Sequence, residues 1–428
     1  MKPNGLSAWL LLFTLGTTGA AIAQHTRGGK LVASSTDQSC LQLKDANTWS
    51  AYTTDMANVG TPQTLAGVLT DLNTNAVELT SSNHPPMVGY SNGIRWSDGD
   101  MATDAWIPQG MTHGQSGSTP FVVATWHWNT DAYSYNNGSR ISIVDTTDLT
   151  TAKYRSIILV QPTGVGTYTS VNIHVGGVAI VGTYLYIVDT SHGFRVFDLN
   201  NIRNVDGDSV LCRNSDGSGK FGLVSGQWCA DGYGYMLPQV SAYTMPSAKE
   251  DGTTIPAACK PHFSWAGNDS RQTTDFVVSG EYCNTTTETC AGAGGDANGL
   301  NGRLYQWPLA STHKLATDAA GYVSPHKVYF MNESNIQGVA ADNVSGATAD
   351  SYFLSGTYGS GQIYKASPTG TTKTFKYTDS LAPYHPEGMY STSSSSNHLW
   401  VITEGDGSST NPATHGRVLI YADATALD

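Results

Sequence analysis

A short phrase returns five times along this chain and limits the fold more than any single residue does. It opens as Trp106-Ile107-Pro108-Gln109-Gly110-Met111, recurs as Ile173-His174-Val175-Gly176-Gly177-Val178 and Asn335-Ile336-Gln337-Gly338-Val339, and closes as His385-Pro386-Glu387-Gly388-Met389. A looser copy reads His262-Phe263-Ser264-Trp265. Each phrase leads into a run of β-branched and aromatic residues (121–125, 184–188, 276–278, 352–354, 399–402), a turn, and a second such run beginning at Arg140, Phe194, Arg303, Gln362 or Arg417. Repeated short strands punctuated by Gly, Asn, Ser and Asp predict an all-β chain folded as a β-propeller, with five clear four-stranded blades. A blade needs roughly 40 to 50 residues. The anchors Gly110, Gly177, Gly338 and Gly388 are unevenly spaced, so the first three blades carry insertions. The stretches 36–103 and 201–258 have room for degenerate blades, which sets the count between five and seven.

Residues 1–23 read as a secretory signal: Lys2, the apolar Trp9-Leu10-Leu11-Leu12-Phe13, and the small-residue site Ala21-Ile22-Ala23. Residues 24–103 are expected to form a leader that packs on the body and supplies ring-closing strands, and 104–428 the propeller. No later segment is long and apolar enough to span a bilayer, so a secreted, extracellular monomer is expected. Six cysteines suit an oxidising compartment. Cys212 with Cys229 and Cys283 with Cys290 would each staple an inserted loop, leaving Cys40 and Cys259, although six cysteines admit other connectivities. Five N-x-S/T sequons, at Asn137, Asn268, Asn284, Asn332 and Asn343, are expected in loops that can carry glycans. With 34 acidic against 22 basic residues and a formal charge of −12, the chain is a poor general partner for nucleic acid or an anionic membrane.

Propeller topology brings the start of each inner strand and each second-to-third-strand turn to one face of the channel. There the phrase reads Ile107, His174, His262, Asn335 and His385, and two places later Gln109, Gly176, Ser264, Gln337 and Glu387. The turns add Trp126-His127-Trp128, Asp189 to His192, Glu281-Tyr282, Thr357-Tyr358 and Glu404. Of 12 histidines, His113, His127, His174, His192, His262 and His385 map near this rim, and imidazole serves as base, acid or metal ligand near neutral pH. Any one of them could equally be a satisfied polar residue; the set favours a site. The aromatics Trp126, Trp128, Trp265, Tyr282 and Tyr358 suit sugar rings, whose hydroxyls would seek Gln, Asn and Glu, or else they fill gaps between blades. Glu281 and Glu404 occupy equivalent turns and could act as a hydrolase pair.

Asn214-Ser215-Asp216-Gly217-Ser218-Gly219, with Asp206 and Asp208 before it, resembles half of a calcium loop but lacks the distal bidentate Glu. It is read as a Gly-rich turn that could take calcium; no cofactor is certain, and whether calcium or another ion occupies the channel is left open by the sequence. Phosphate-loop, zinc-protease and serine-elbow motifs do not occur.

The phrases around Gln109-Gly110-Met111, Val123-Ala124-Thr125-Trp126-His127-Trp128, His174-Val175-Gly176-Gly177 and Gly193-Phe194-Arg195-Val196-Phe197-Asp198 resemble those of secreted propeller proteins of filamentous fungi and actinomycetes, over roughly residues 104–428. Within that set the chain is similar to the fungal L-rhamnose-α-1,4-D-glucuronate lyases, which are seven-bladed, whereas five blades are clear here. The resemblance implies β-elimination at a glucuronate, releasing terminal rhamnose from an extracellular arabinogalactan-type polysaccharide. It would make His127 the base, His174 and His192 the acid or orienting partners, and Arg195 a partner for the uronate carboxylate. Gln109, His113, Trp126, Trp128, His262, Glu281, Tyr282, Gln337, Tyr358, His385 and Glu404 would line the sugar site. A glycoside hydrolase and a non-catalytic sugar-binding propeller are the alternatives.

Overall fold

The computed structural model describes residues 31–33, 41–205, 207, 210–248, 254–255, 259–283, 301–331, 333–344, 346–357, 360–368, 373–392, 396–406 and 411–427. Residues 1–23, read above as a secretory signal, and Cys40, Cys290, Asp206, Asp208, Asn284, Asn332 and Tyr358 lie outside them.

The chain is a β-propeller, and five antiparallel four-stranded blades are seen among the described residues. The first comprises Trp106–Ser116, Thr119–Trp128, Ser139–Asp145 and Lys153–Gly164; the second Val178–Val181, Tyr184–Asp189, Gly193–Asp198 and Tyr235–Thr244. The third comprises Phe263–Asp269, Phe276–Glu281, Asn301–Pro308 and Lys327–Met331; the fourth Ile336–Ala341, Tyr352–Gly356, Gln362–Ala366 and Lys373–Lys376. The fifth takes Pro386–Ser391, His398–Thr403 and Val418–Asp423 from one end of the chain and Tyr90–Arg95 from near the other. The five innermost strands touch in cyclic order, and Pro386–Ser391 returns to Trp106–Ser116.

The repeated glycine marks where neighbouring inner strands cross. A methyl group on Gly177 would lie 2.0 Å from the Ala266 nitrogen, one on Gly338 2.2 Å from the Glu387 carbonyl oxygen, and one on Gly388 2.4 Å from the Met111 nitrogen. Hydroxyls on the second strands tie the same crossings. Thr125 Oγ1 accepts from Gly110 N and donates to Val175 O in the next blade, both at 2.8 Å. Ser355 Oγ donates to Glu387 O at 2.5 Å in the same relation.

Blade faces pack on each other, so central strands are buried on both sides and read as unbroken apolar runs rather than alternating ones. Val123, Ile141, Ile143, Ile157 and Leu159 of the first blade meet Val178, Leu185, Ile187 and Phe197 of the second. Each such side chain contributes about 1.5–3 kcal/mol on full burial. Tyr235–Thr244 joins these two blades, running parallel to Lys153–Gly164 from Met236 to Pro238 and antiparallel to Gly193–Asp198 from Gln239 to Thr244.

Neither stretch weighed as a hidden blade forms one among the described residues. The earlier supplies edge strands and short helices; the later supplies Tyr235–Thr244 and the hairpin Phe221–Val224 and Gln227–Ala230. The Cys212–Cys229 disulfide ties that hairpin to the segment before it, and Cys259 and Cys283 are also disulfide-bonded. The expectation that sequons sit in open loops is corrected at three positions. Asn137 is buried, Asn268 lies within Phe263–Asp269, and Asn343 Nδ2 donates to the Ser391 and Thr392 carbonyls. No helix of the described residues is long and apolar enough to cross a membrane.

Candidate functional site

Four inner strands slip register against their partners at the repeated phrase: between Pro108 and Met111, Phe263 and Trp265, Ile336 and Gly338, and Pro386 and Met389. The residues skipped include Gln109, Ser264, Gln337 and Glu387. A bulge takes a side chain out of strand alternation, and these four converge with Glu404 on the axis. Ser264 Oγ donates to Gln337 Oε1 at 2.9 Å, and Gln109 Nε2 donates to Glu404 Oε2 at 3.3 Å. Glu387 is fully buried beside Glu404 and Gln337, and neither of its carboxyl oxygens makes a hydrogen bond of good geometry. Burial, then the Glu404 charge, pushes the Glu387 pKa well above the carboxylate range. Burial likewise raises that of Glu404, against the pull of Gln109, Glu387 and Arg417.

At the funnel mouth the imidazoles of His127 and His174 lie with centroids 4.2 Å apart. His127 Nδ1 is 3.0 Å from the Trp128 carbonyl oxygen, which can only accept, so Nδ1 carries the proton and Nε2 keeps its lone pair. Burial pushes the His127 pKa down to about 3, helped by His174 and Arg417 and opposed by the Trp128 hydrogen bond. His174 keeps an exposed ring surface, yet protein surrounds it closely enough that lost solvation lowers its pKa too. Arg417, 3% exposed, donates to the carbonyls of Glu404, Asp100 and Thr103. Its charge acts on both Glu404 and His127. Trp128 stands edge-on to Trp106 at 5.0 Å, with Tyr133 and Tyr135 against it.

Other rim residues form separate groups. Asn335 Nδ2 donates to Tyr282 Oη at 2.5 Å. His385 stacks on Tyr384 at 3.9 Å, and Tyr384 contacts His415, whose Nδ1 is 2.9 Å from Asp406 Oδ2. His192 is exposed on the second blade's turn, with Nδ1 2.8 Å from Asp189 Oδ1.

The remaining candidates are engaged elsewhere. Arg195 binds Asp189 through Nε at 2.8 Å and spans to Gln161 and Gln239 on the outer strands of the first two blades. Glu281, 1% exposed, takes Arg303 Nε and Nη2 at 3.0 and 2.8 Å plus the His262 and Arg303 backbone amides, so it does not face Glu404 across a cleft. Trp126 and Trp265 are fully buried, Trp126 edge-on to Trp96, and neither presents a ring to the funnel. His113 lies far down its inner strand, stacked with Tyr390 and Trp400.

Asn214 to Gly219 forms a turn in which Asp216 accepts from Ser218 N and Oγ. No group of three or more His, Cys, Asp or Glu side chains able to hold a metal occurs among the described residues. A hollow lined by Leu69, Asp145, Asp148 and Lys153 opens at the far end of Ser139–Asp145 from the funnel, with both aspartates capping local turns.

Ser264, Glu387 and Arg417 are channel residues not singled out from sequence as site candidates, although the first two stood in the repeated phrase. Glu387 stood in the repeated phrase, so its place on the axis was open to view; the role of Arg417 depends on which carbonyls it meets.

No family model and no curated protein sequence matches the chain. Among solved structures, it is similar to a luciferin-regenerating enzyme (9% identity, 81% of this chain and 95% of that one, TM-score 0.32). It is also similar to a GH43_1 enzyme from Xanthomonas citri (12%, 75% and 88%, TM-score 0.35) and to the PQQ-bound aldose sugar dehydrogenase of Streptomyces coelicolor (11%, 82% and 99%, TM-score 0.32). Likeness at this level carries no argument about what the chain does.

Proposed function

We propose that the protein is a secreted, carbohydrate-active propeller enzyme that cleaves by β-elimination at a glucuronate, releasing terminal rhamnose from arabinogalactan-type polysaccharide. The observation that carries this reading is the orientation of His127. With Nδ1–H held by the Trp128 carbonyl, Nε2 offers a lone pair beside a second neutral imidazole. That is the protonation state a general base needs.

In the proposed reaction Nε2 of His127 takes the C5 proton of the uronate. The C5–H electron pair becomes the C4–C5 double bond, the C4–O bond breaks with its electrons going to oxygen, and the imidazole pair returns a proton to that oxygen. The buried Arg417 charge favours the uronate carboxylate and the negative charge that builds on it in the transition state. The bound carboxylate would in turn raise the basicity of both imidazoles, so the base strengthens when substrate arrives. Tyr133 and Tyr135, packed on the buried Trp128, offer an apolar edge for a neighbouring sugar, Tyr282, His262 and His385 complete the rim, and His192 remains at its margin. A hydrolase using Glu281 with Glu404 is not favoured, because Arg303 holds Glu281 away from the channel.

The test is incubation of the secreted protein with gum arabic and with neutral arabinogalactan, following rhamnose release and the ultraviolet absorbance of an unsaturated uronate. Both signals from gum arabic alone support the reading. Reducing ends without absorbance would indicate a hydrolase, and no change in either polymer a binding protein.

A further inference from the structure

Among the buried acids, Glu387 stands apart. Glu281 is paired with Arg303, Asp269 with Arg271, Asp100 with Arg140, Asp231 with Arg213 and Asp342 with Lys365. Glu387 is 0% exposed, has no cation beside it among the described residues, and neither of its oxygens makes a hydrogen bond of good geometry, although Glu404 and Gln337 stand close enough to act on it. A buried carboxylate is retained in native proteins when it is paired or binds a metal. Beside it stand a second carboxylate, Glu404, and the amide of Gln337; Gln109 in turn donates to Glu404, and Ser264 to Gln337.

We propose that the axis of the propeller is a calcium site, formed by the carboxylates of Glu387 and Glu404 and the side-chain oxygens of Gln109, Gln337 and Ser264. All five can offer oxygen, the donor that hard cations take, and no sulfur or imidazole is among them. Two carboxylates match a divalent charge. The donors come from four blades, set by bulges rather than by one continuous loop, and calcium accepts such an irregular shell of six to eight oxygens, whereas magnesium demands a near-ideal octahedron. Only two of the five donors are acids, so the site has no acidic-triad signature. The ion would clamp four blades at the one place where they all meet, and this holds whether or not the rim is catalytic.

The test uses the full chain, stripped with a chelator and titrated with calcium chloride, read by native mass spectrometry, calorimetry and thermal unfolding. One calcium per chain is expected, with a rise in Tm that an equal concentration of magnesium does not reproduce. Glu387→Gln should weaken binding at least 100-fold while circular dichroism stays unchanged; should that variant fail to fold, Gln337→Met should weaken it at least tenfold. Asp216→Asn should leave binding unaltered. No bound calcium, displacement by equal magnesium, wild-type affinity in the channel variants, or loss of the ion in Asp216→Asn would each overturn the proposal.

Discussion

His127 and His174 belong to adjacent blades, yet their imidazoles pack at 4.2 Å with planes inclined by 37°. Burial lowers the pKa of both rings, and His174 lowers that of His127 further. This contact links blade geometry to the chemistry the funnel can perform.

Replacement of either ring should separate chemistry from folding. His127→Ala is expected to lower kcat/KM by about 10²–10⁴, the usual range for a lost general base, and His174→Ala by a smaller factor. Ultraviolet absorbance on gum arabic measures the rate, and an unchanged circular dichroism spectrum shows that the blades persist.

The pH profile follows from the same pair. A base works deprotonated, and His127 is pushed down to about 3 from an ordinary 6.5. The free-enzyme profile, kcat/KM against pH, should therefore show no acid limb between pH 7 and 5. A limb centred near 6.5 would mean a solvated histidine is the base.

Stability should fall on acidification for a related reason. His113, between Tyr390 and Trp400, has its pKa pushed down to about 4 by burial and by the His398 charge. Between pH 6.5 and 4 the unfolded chain binds a proton that the folded chain refuses, so stability drops as pH falls, by at most on the order of 3 kcal/mol from this group. His113→Phe keeps the stacking and should flatten that slope in urea titrations at pH 7, 5.5 and 4.5.

Breaking the Glu281–Arg303 pair should cost structure. Glu281→Gln removes the charge that faces a guanidinium only 1% exposed, and a loss of about 3–5 kcal/mol is expected. Equilibrium urea unfolding measures it; an unchanged midpoint would show that the pair is dispensable.

The crossing glycines predict a graded effect. Gly338→Ala forces a methyl group to within 2.2 Å of the Glu387 carbonyl and should cost about 3 kcal/mol, the upper end for overpacking. Gly117→Ala has nothing within 4 Å and loses only the ease of its φ of +59°, about 1 kcal/mol. Thermal unfolding of the two variants should rank them in that order.

The blades were legible because the phrase, the apolar runs and the turns recur together. Some placements were legible too but need the strand period applied strictly. Trp126 and Trp128 share one face of Thr119–Trp128 and His127 takes the other, so the ring next to the tryptophans faces away from Trp126. His113 stands four residues beyond Gln109, and at roughly 3.4 Å per residue that is more than 13 Å down the strand. The partners of Glu281 and Arg195 were not legible, because they depend on inter-strand register and on how adjacent blades abut. The meeting of Glu387 with Glu404 needs a turn to fold back over an inner strand, which no local pattern encodes.

The sheet that ends the chain is completed by Tyr90–Arg95, made long before its partner Val418–Asp423. During synthesis that early segment waits with an unpaired edge while more than three hundred residues emerge, and the circle latches only when the last strand arrives. Closure of this blade therefore joins two segments more than three hundred residues apart, and without Val418–Asp423 that edge of Tyr90–Arg95 has no partner strand.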